Sequence, residues 1–439
     1  MKRMTVPILV LVMGLPRVAL SEEPVYFADA SLQAVVEEAL GFSEPTALEM
    51  LELSELDARE RGIVNLTGLE CATNLTWLNL YGNRVSDISV LSNLTNLKSL
   101  LPHSNRVNDA SIASGLINLT ELFLGSNQIS DISDLGGLTN LTKLHLNRNR
   151  IGNISVLSDL TNLEYLALSD CQVSDISAIK EMRNLTRLQL SHNQISDISA
   201  VSNLTNLEIA FLHGNQISDI FALKGLINLT TLQLDINQIT DISALSELTD
   251  LRYLVLNQNH ISDISVLSNL KNLKTLWLSS NQIRDTSVLS NLTNLTSLGL
   301  DDNQIEDIFG LSGLTNLEKL YLRRNQINDV SALSGLSNFK YVSLLGNPLN
   351  IAAYYIYLPF IEYNCPELKG LDYDPNPYLL VDDWGDELSD VTVFMEYFGE
   401  DECGEGNNWC DGADLDHSGA VDRDDVAEFA RYVVRGTEE

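Results

Sequence analysis

Basic residues are scarce in this chain of 439 residues: 27 Lys and Arg face 60 Asp and Glu, a formal charge of −33. A surface of that sign repels phosphate backbones and anionic lipid, so neither nucleic acid nor a membrane surface is expected as a partner. Cysteine is scarce too, at five, and only Cys403 and Cys410 lie near one another. That excludes a scaffold stapled by disulfides. Long apolar runs are lacking. The best candidate, VPILVLVMGLP after Lys2 and Arg3, ends at Pro16 and Arg17, short of the about 20 residues a span needs. Small residues at Ala19 and Ser21 make residues 1–21 read as a secretory signal peptide, with no membrane span in the mature chain. Enzyme signatures are missing as well. There is no G-x-S-x-G, H-E-x-x-H or phosphate loop, and the six histidines keep no catalytic spacing. His103, His145 and His213 are read as sharing one column of the repeat, which is weak ground for a polar site. An enzyme is not expected.

What the chain has in abundance is repetition. The frame L-x-x-L-x-L-x-x-N-x-I returns every 22 residues through thirteen copies without an insertion. Its Asn stands at Asn83, Asn105, Asn127, Asn149, Asn193, Asn215, Asn237, Asn259, Asn281, Asn303, Asn325 and Asn347, with Cys171 filling the one gap. Self-similarity at a fixed period means stacked structural units. The L-x-L piece, Leu298 and Leu300 for example, alternates with period two and predicts a short strand with its leucines inward. One strand cannot bury them alone, but neighbours stacked at roughly 4.8 Å form a parallel ribbon over a continuous core. The Asn amide is then placed to bond the backbone groups left unpaired at the bend, repeat after repeat. Cys171 reads as a member of that ladder and not as a nucleophile.

Four residues on lies a second column: Asp87, Asp109, Asp131, Asp175, Asp197, Asp219, Asp241, Asp263, Asp285, Asp307 and Asp329, with Asn153 as the exception. An Asp there accepts from the following backbone N–H groups and starts a short helical turn; a metal ladder is the sharper alternative. Asn-Leu-Thr triplets, as at Asn140, Asn162 and Asn228, match the glycosylation acceptor pattern, yet they recur only because the repeat recurs.

The frame, with Asn or Cys at its ninth position, identifies leucine-rich repeats. FADASLQAVVEEAL, then IVNLTGLECATNLTWLNLYGNRVSDISVL, resemble the cap and first repeats of bacterial internalin-type proteins over about residues 24–350. The expected fold is an α/β repeat solenoid, a parallel β ribbon with short helical turns. A helical N-terminal cap covers 22–62, the repeats 63–350, and a C-terminal cap and linker 351–378. The resemblance implies a curved, exported protein, secreted or held in the cell envelope, that binds another macromolecule on its concave side. A monomer is expected.

Residues 366–439 hold 22 acids and 4 bases. Within them DLDHSGAVDRDD places Asp414, Asp416 and Ser418 at positions 1, 3 and 5 of a loop, Gly419 at 6 and Asp425 at 12. Oxygen ligands at that spacing, with Gly for the sharp turn, are what calcium needs. Ala420 would add a backbone carbonyl and Asp422 a ligand at 9. A loop ending in Asp and leading into VAEFARYVV resembles dockerin domains, which implies a small helical module at 379–439 and a cohesin-like partner. A second loop of that kind is not in register, which weakens the cohesin expectation.

Aromatics answer to a different rule. Between residues 74 and 347, nine of twelve stand two, four or six residues before the Asn: Trp77, Tyr81, Phe123, Tyr165, Phe211, Tyr253, Trp277, Tyr321 and Tyr341. These slots face outward on the strands, and aromatics gathered on one surface mark an interaction site. Ile209, Phe211, His213, Tyr253, Val255 and Trp277 form the expected centre. A protein ligand is the leading expectation; sugar stacking on the rings and a ligand-free spacer are the alternatives.

Overall fold

The structure is a computed structural model that describes residues 23–111 and 115–375. The signal-peptide reading of 1–21 and the calcium residues Asp414 to Asp425 lie outside the described residues.

The first helix, α1, spans Ala30–Leu40. Its start follows from Asp29, whose carboxylate accepts from the backbone of Ser31 and Leu32, and its end from Gly41 at φ 80°. Leu32, Val35 and Val36, spaced three and four apart, are its buried residues. The other oxygen of Asp29 accepts from Val64 N at 2.7 Å, tying the helix start to the chain that follows.

The chain forms two compact units, dividing between Lys143 and Leu144, with α1 in the first. In the first, β1 (Glu55–Asp57), β2 (Trp77–Asn79), β3 (Ser99–Leu101) and β4 (Glu121–Phe123) pair in parallel in chain order. β5 (Lys143–His145) lies at the division. The second carries β6 (Tyr165–Ala167), β7 (Arg187–Gln189), β8 (Ile209–Phe211), β9 (Thr231–Gln233) and β10 (Tyr253–Val255). It continues with β11 (Thr275–Trp277), β12 (Ser297–Gly299), β13 (Lys319–Tyr321), β14 (Tyr341–Ser343) and β15 (Gly370–Asp372). All pair in parallel with their sequence neighbours, and register is locked at 22 residues up to β14, as in Trp277↔Gly299 and Gly299↔Tyr321, while β15 joins off that period. Leu276, Leu278, Leu298 and Leu300 are fully buried, as the period-two pattern requires.

The ladder of buried amides has one repeated geometry. Asn281 Nδ2 donates to the carbonyls of Leu278 (2.9 Å) and of Leu256 in the preceding repeat (3.0 Å). Its Oδ1 accepts from Ile261 N at 3.0 Å. Each amide therefore closes its own bend and clamps the previous one. Cys171 keeps the donor half of this role, its thiol reaching Leu146 O at 3.5 Å and Ser169 O at 3.7 Å. Burial raises the thiol's pKa, which favours a donor over a nucleophilic thiolate.

The Asp column caps the short turns, which are 3₁₀ helices: Asp263 Oδ1 accepts from Ser265 N at 2.8 Å, at the start of Ser265–Asn269. Asn153 does the same for Ser155. Among the described residues, no three His, Cys, Asp or Glu gather to hold a metal ion. Several asparagines of the Asn-Leu-Thr triplets have a structural task of their own. Asn228 Nδ2 donates to Thr205 O and Asn294 Nδ2 to Lys271 O, both at 2.8 Å, a second inter-repeat clamp.

Of residues 351–378, expected as cap and linker, the described part up to 375 holds more regular structure than its composition suggested. A π-helical turn at Ala353–Tyr357 runs into α2 (Leu358–Asn364), which buries Leu358, Phe360 and Ile361. The chain then returns to the ribbon as β15, with Gly370 opposite Tyr341. Gly-Leu-Asp lacks the frame, so the period gives no sign of this strand.

Candidate functional site

The outward positions of the strands form one face in each unit. None of the nine frame-positioned aromatics is core and none is fully exposed; each is half-buried. The other three aromatics separate cleanly. Phe339 is fully buried in a leucine position, while Phe221 and Phe309 stand out on the helical turns, 69% and 74% exposed.

In the first unit Trp77, Tyr81 and Phe123 take the expected positions, and Tyr81 stacks on His103 with centroids 4.8 Å apart. Beside them Glu121 is held by Lys143 Nζ at 2.8 Å and Ser99 Oγ at 3.0 Å. Lys143 foremost keeps its carboxyl below the usual range.

The second unit has two distinct groupings on its strand face. The larger is a run of three rings. Trp277 and Tyr321 lie with centroids 5.1 Å apart and planes tilted 41°, although a whole strand, β12, separates them. They meet because the residue between is Gly299. A Cβ there would collide with the indole, with Cζ3 only 2.7 Å away. Tyr321 and Tyr341 continue the ledge at 5.1 Å and 37°. At its far end Tyr341 donates its hydroxyl to Asp372 on β15. That bond, ahead of burial, raises the pKa of the phenol. Arg323 Nη2 reaches both Tyr341 Oη and Asp372 Oδ2 at 3.0 Å, and its backbone N–H reaches Asp301 at 2.7 Å. Its guanidinium is thus committed to holding the ledge.

The smaller grouping is polar. Ser191, His213 and Asp235 occupy one column in three successive repeats, two residues before the Asn. Ser191 Oγ and His213 Nδ1 lie 2.9 Å apart, and His192 meets the His213 ring edge-on at 4.9 Å. Burial lowers the pKa of His213 and raises that of Asp235. The order Ser–His–Asp invites a nucleophilic reading, but Ser191 is only 3% exposed, so no substrate carbonyl reaches its oxygen. His145 is not part of this column: it stands four residues before its Asn, on β5, where His213 stands two before.

Of the expected centre, Ile209, Phe211, His213, Tyr253 and Trp277 are half-buried on the face. Val255 is not: it is 7% exposed and offers no contact surface. It pairs in register with Trp277, and a small side chain directly across from an indole is shielded by it. The contiguous rings also lie further along the chain than expected, on β11–β14. The signal for this was present, as a glycine in the same frame position as the tryptophan one repeat earlier. Asp372 carried no signal, since it lies beyond the periodic part.

The family model of leucine-rich repeats in two copies matches at residues 117–159, 139–181, 161–204, 183–225, 205–247, 249–291, 271–314 and 293–335. No curated protein matches the chain. Among solved structures it is similar to an internalin, inlF, of Listeria monocytogenes, with 37% identity and a TM-score of 0.71 over 74% of this chain and 98% of that one. The functional domain of InlJ from the same organism, described as including a cysteine ladder, shares the fold at 23% identity and a TM-score of 0.68, over 78% and 79% of the two chains. A leucine-rich repeat protein of Leptospira interrogans does so at 23% and 0.59, over 74% and 97%. No catalytic family is indicated, and among the described residues no helix is long and apolar enough to cross a membrane. With its frame, its parallel ribbon and more than a third of its aligned residues shared with an internalin, the chain belongs to the leucine-rich repeat family, with internalins among its structural relatives.

Proposed function

We propose that this is an exported recognition protein whose strand face binds a protein ligand. The observation that carries this reading is the ledge of Trp277, Tyr321 and Tyr341. Gly299 is cleared for the indole, and Arg323 and Asp372 brace the far end. The rings stand apart from the buried leucines and the amide ladder, which serve the core and the bends. Half-buried, preorganised aromatic rings lose little entropy on docking, which is why such residues dominate binding energy.

The acidic tail has a separate role in this reading. Asp414, Asp416, Ser418, Ala420, Asp422 and Asp425 would bind calcium and order a docking module, a role supported by the order of oxygen donors in the sequence. The signal-like N-terminus and the internalin relatives support export to the cell surface or medium.

The test uses the chain without residues 1–21, bearing Trp277→Ala and Tyr321→Ala together, beside the parent. Partners are captured from producer envelope extract in calcium, with melting followed in parallel. Loss of a partner at unchanged melting supports recognition by the strand face. Retention of the partner, with release by chelator, would make the tail the working end and the repeats a spacer. Competition by free glycan would move the ligand class to carbohydrate.

A further inference from the structure

We infer that the strand face over β10–β13 is matched to an acidic polypeptide segment; this rests on the strand face being the binding surface. The reason is a local reversal of charge. In a chain where acids outnumber bases by 60 to 27, an unpaired run of cations is against composition. Yet Arg252 and Lys274 occupy the corner immediately before β10 and β11, in adjacent repeats, with Lys274 N donating to Arg252 O at 2.9 Å. Lys319 opens β13. All three are exposed, and none makes an ion pair among the described residues. Three cations near them are neutralised: Lys340 by Glu318 at 2.9 Å, Arg323 by Asp372, Arg324 by Asp302. The acid in the same corner column, Glu318, is therefore already spent on Lys340.

Like charges on neighbouring strands are mildly unfavourable, so leaving them unpaired costs a little stability that an anionic partner would recover. The cations flank the aromatic ledge along its N-terminal edge. Four strands at about 4.8 Å make the site roughly 14 Å long, which four or five extended residues cover. An extended segment also presents alternate side chains to opposite sides. One set would be carboxylates turned to Arg252, Lys274 and Lys319, the other apolar groups turned to Trp277 and Tyr321. Ring planes tilted by 41° and 37° form ridges between which side chains insert, and not the flat platform that favours a sugar ring.

The probe is a displayed library of random linear peptides, selected on the full chain and then titrated individually. Selected peptides are expected to be rich in Asp and Glu. Arg252→Glu with Lys274→Glu should weaken them about tenfold or more, and Trp277→Ala should weaken them as well, with melting unchanged in each variant. Neutral or basic peptides that ignore the charge reversal but are lost with Trp277→Ala would overturn the acidic inference and leave the strand face as the site. Peptides indifferent to both variants would overturn the strand-face reading itself. Absence of enrichment, with polygalacturonate bound and lost on charge reversal, would overturn the polypeptide and assign an acidic polysaccharide.

Discussion

The inner and outer sides of one strand follow opposite rules. Inward and at the bend, every repeat carries the same parts: Leu276, Leu278 and Asn281 recur as Leu298, Leu300 and Asn303, all buried. Outward, the next strand replaces Trp277 with Gly299 and Thr275 with Ser297. The inner side must satisfy a constraint common to all repeats, since each amide clamps the repeat before it. On the outer side the constraint is pairwise and local, between one indole and one missing Cβ. Regularity marks what the stack needs, and departures from it mark what this molecule does.

If that division is right, the largest loss comes from the inner side. Asn281→Ala strands the carbonyls of Leu256 and Leu278 and the N–H of Ile261, all buried. At ordinary costs for unpaired buried groups this should remove about 2–4 kcal/mol, read as a shift in urea midpoint. Asn281→Cys should lose less, because Cys171 already shows a thiol donating to Leu146 O, the equivalent of Leu256 O. Equal losses for Ala and Cys would break the account of the ladder.

On the outer side, Gly299→Ala pushes a methyl into the indole of Trp277. The expected cost is about 1–3 kcal/mol. It should largely vanish in a Trp277→Ala background, since only the pair conflicts. A double-mutant cycle with coupling below about 0.5 kcal/mol would mean that the glycine serves the backbone and not the ring.

Most of the fold is legible in the sequence because it is written thirteen times. Period, strand, inward leucines, amide ladder and Asp cap each follow from one frame, and Cys171 falls into place by position alone. Written only once, the rest is harder to see. β15 pairs with β14 through Gly370, Leu371 and Asp372, a tripeptide with no pattern of its own. Asp372 therefore reaches Tyr341 across a stretch the period does not describe. Val255 misled for a related reason: its slot faces outward in every repeat, but its exposure depends on the Trp277 beside it. Asn228 and Asn294 were obscured by a second meaning of the same triplet, their structural bond being invisible until the carbonyls one repeat back are located.

A smaller effect separates the two sides at the residue before each ladder Asn. Its φ is positive in every repeat of the second unit, from 51° at Arg324 to 76° at Gly346, and at Ile236 it is 56°. A β-branched side chain is poorly suited to that conformation, whereas Asn tolerates it. Ile236 is 44% exposed, so little burial is lost on replacing it. Ile236→Asn should therefore stabilise by about 0.5–1 kcal/mol. A destabilised variant would show that Ile236 contributes contacts that outweigh its strain.

The smallest effect is one of sign, and it runs with pH. Turn-side carboxylates such as Asp87 and Asp285 have their pKa lowered by bonds from Ser89 and Ser287. They add stability that is present above the unfolded value, about 3.9, and lost as pH falls through the folded one. Strand-side Asp301 is opposite. Burial raises its pKa against the pull of Arg323, so its charge opposes folding at neutral pH, and that opposition fades as pH falls through the raised value. Asp301→Asn keeps an oxygen for Arg323 N and removes the charge. It should raise the urea midpoint at pH 7, with the gain closing as pH approaches about 4. A gain that stays constant across that range would trace the effect to packing, and a loss at pH 7 would mean that pairing with Arg323 outweighs burial.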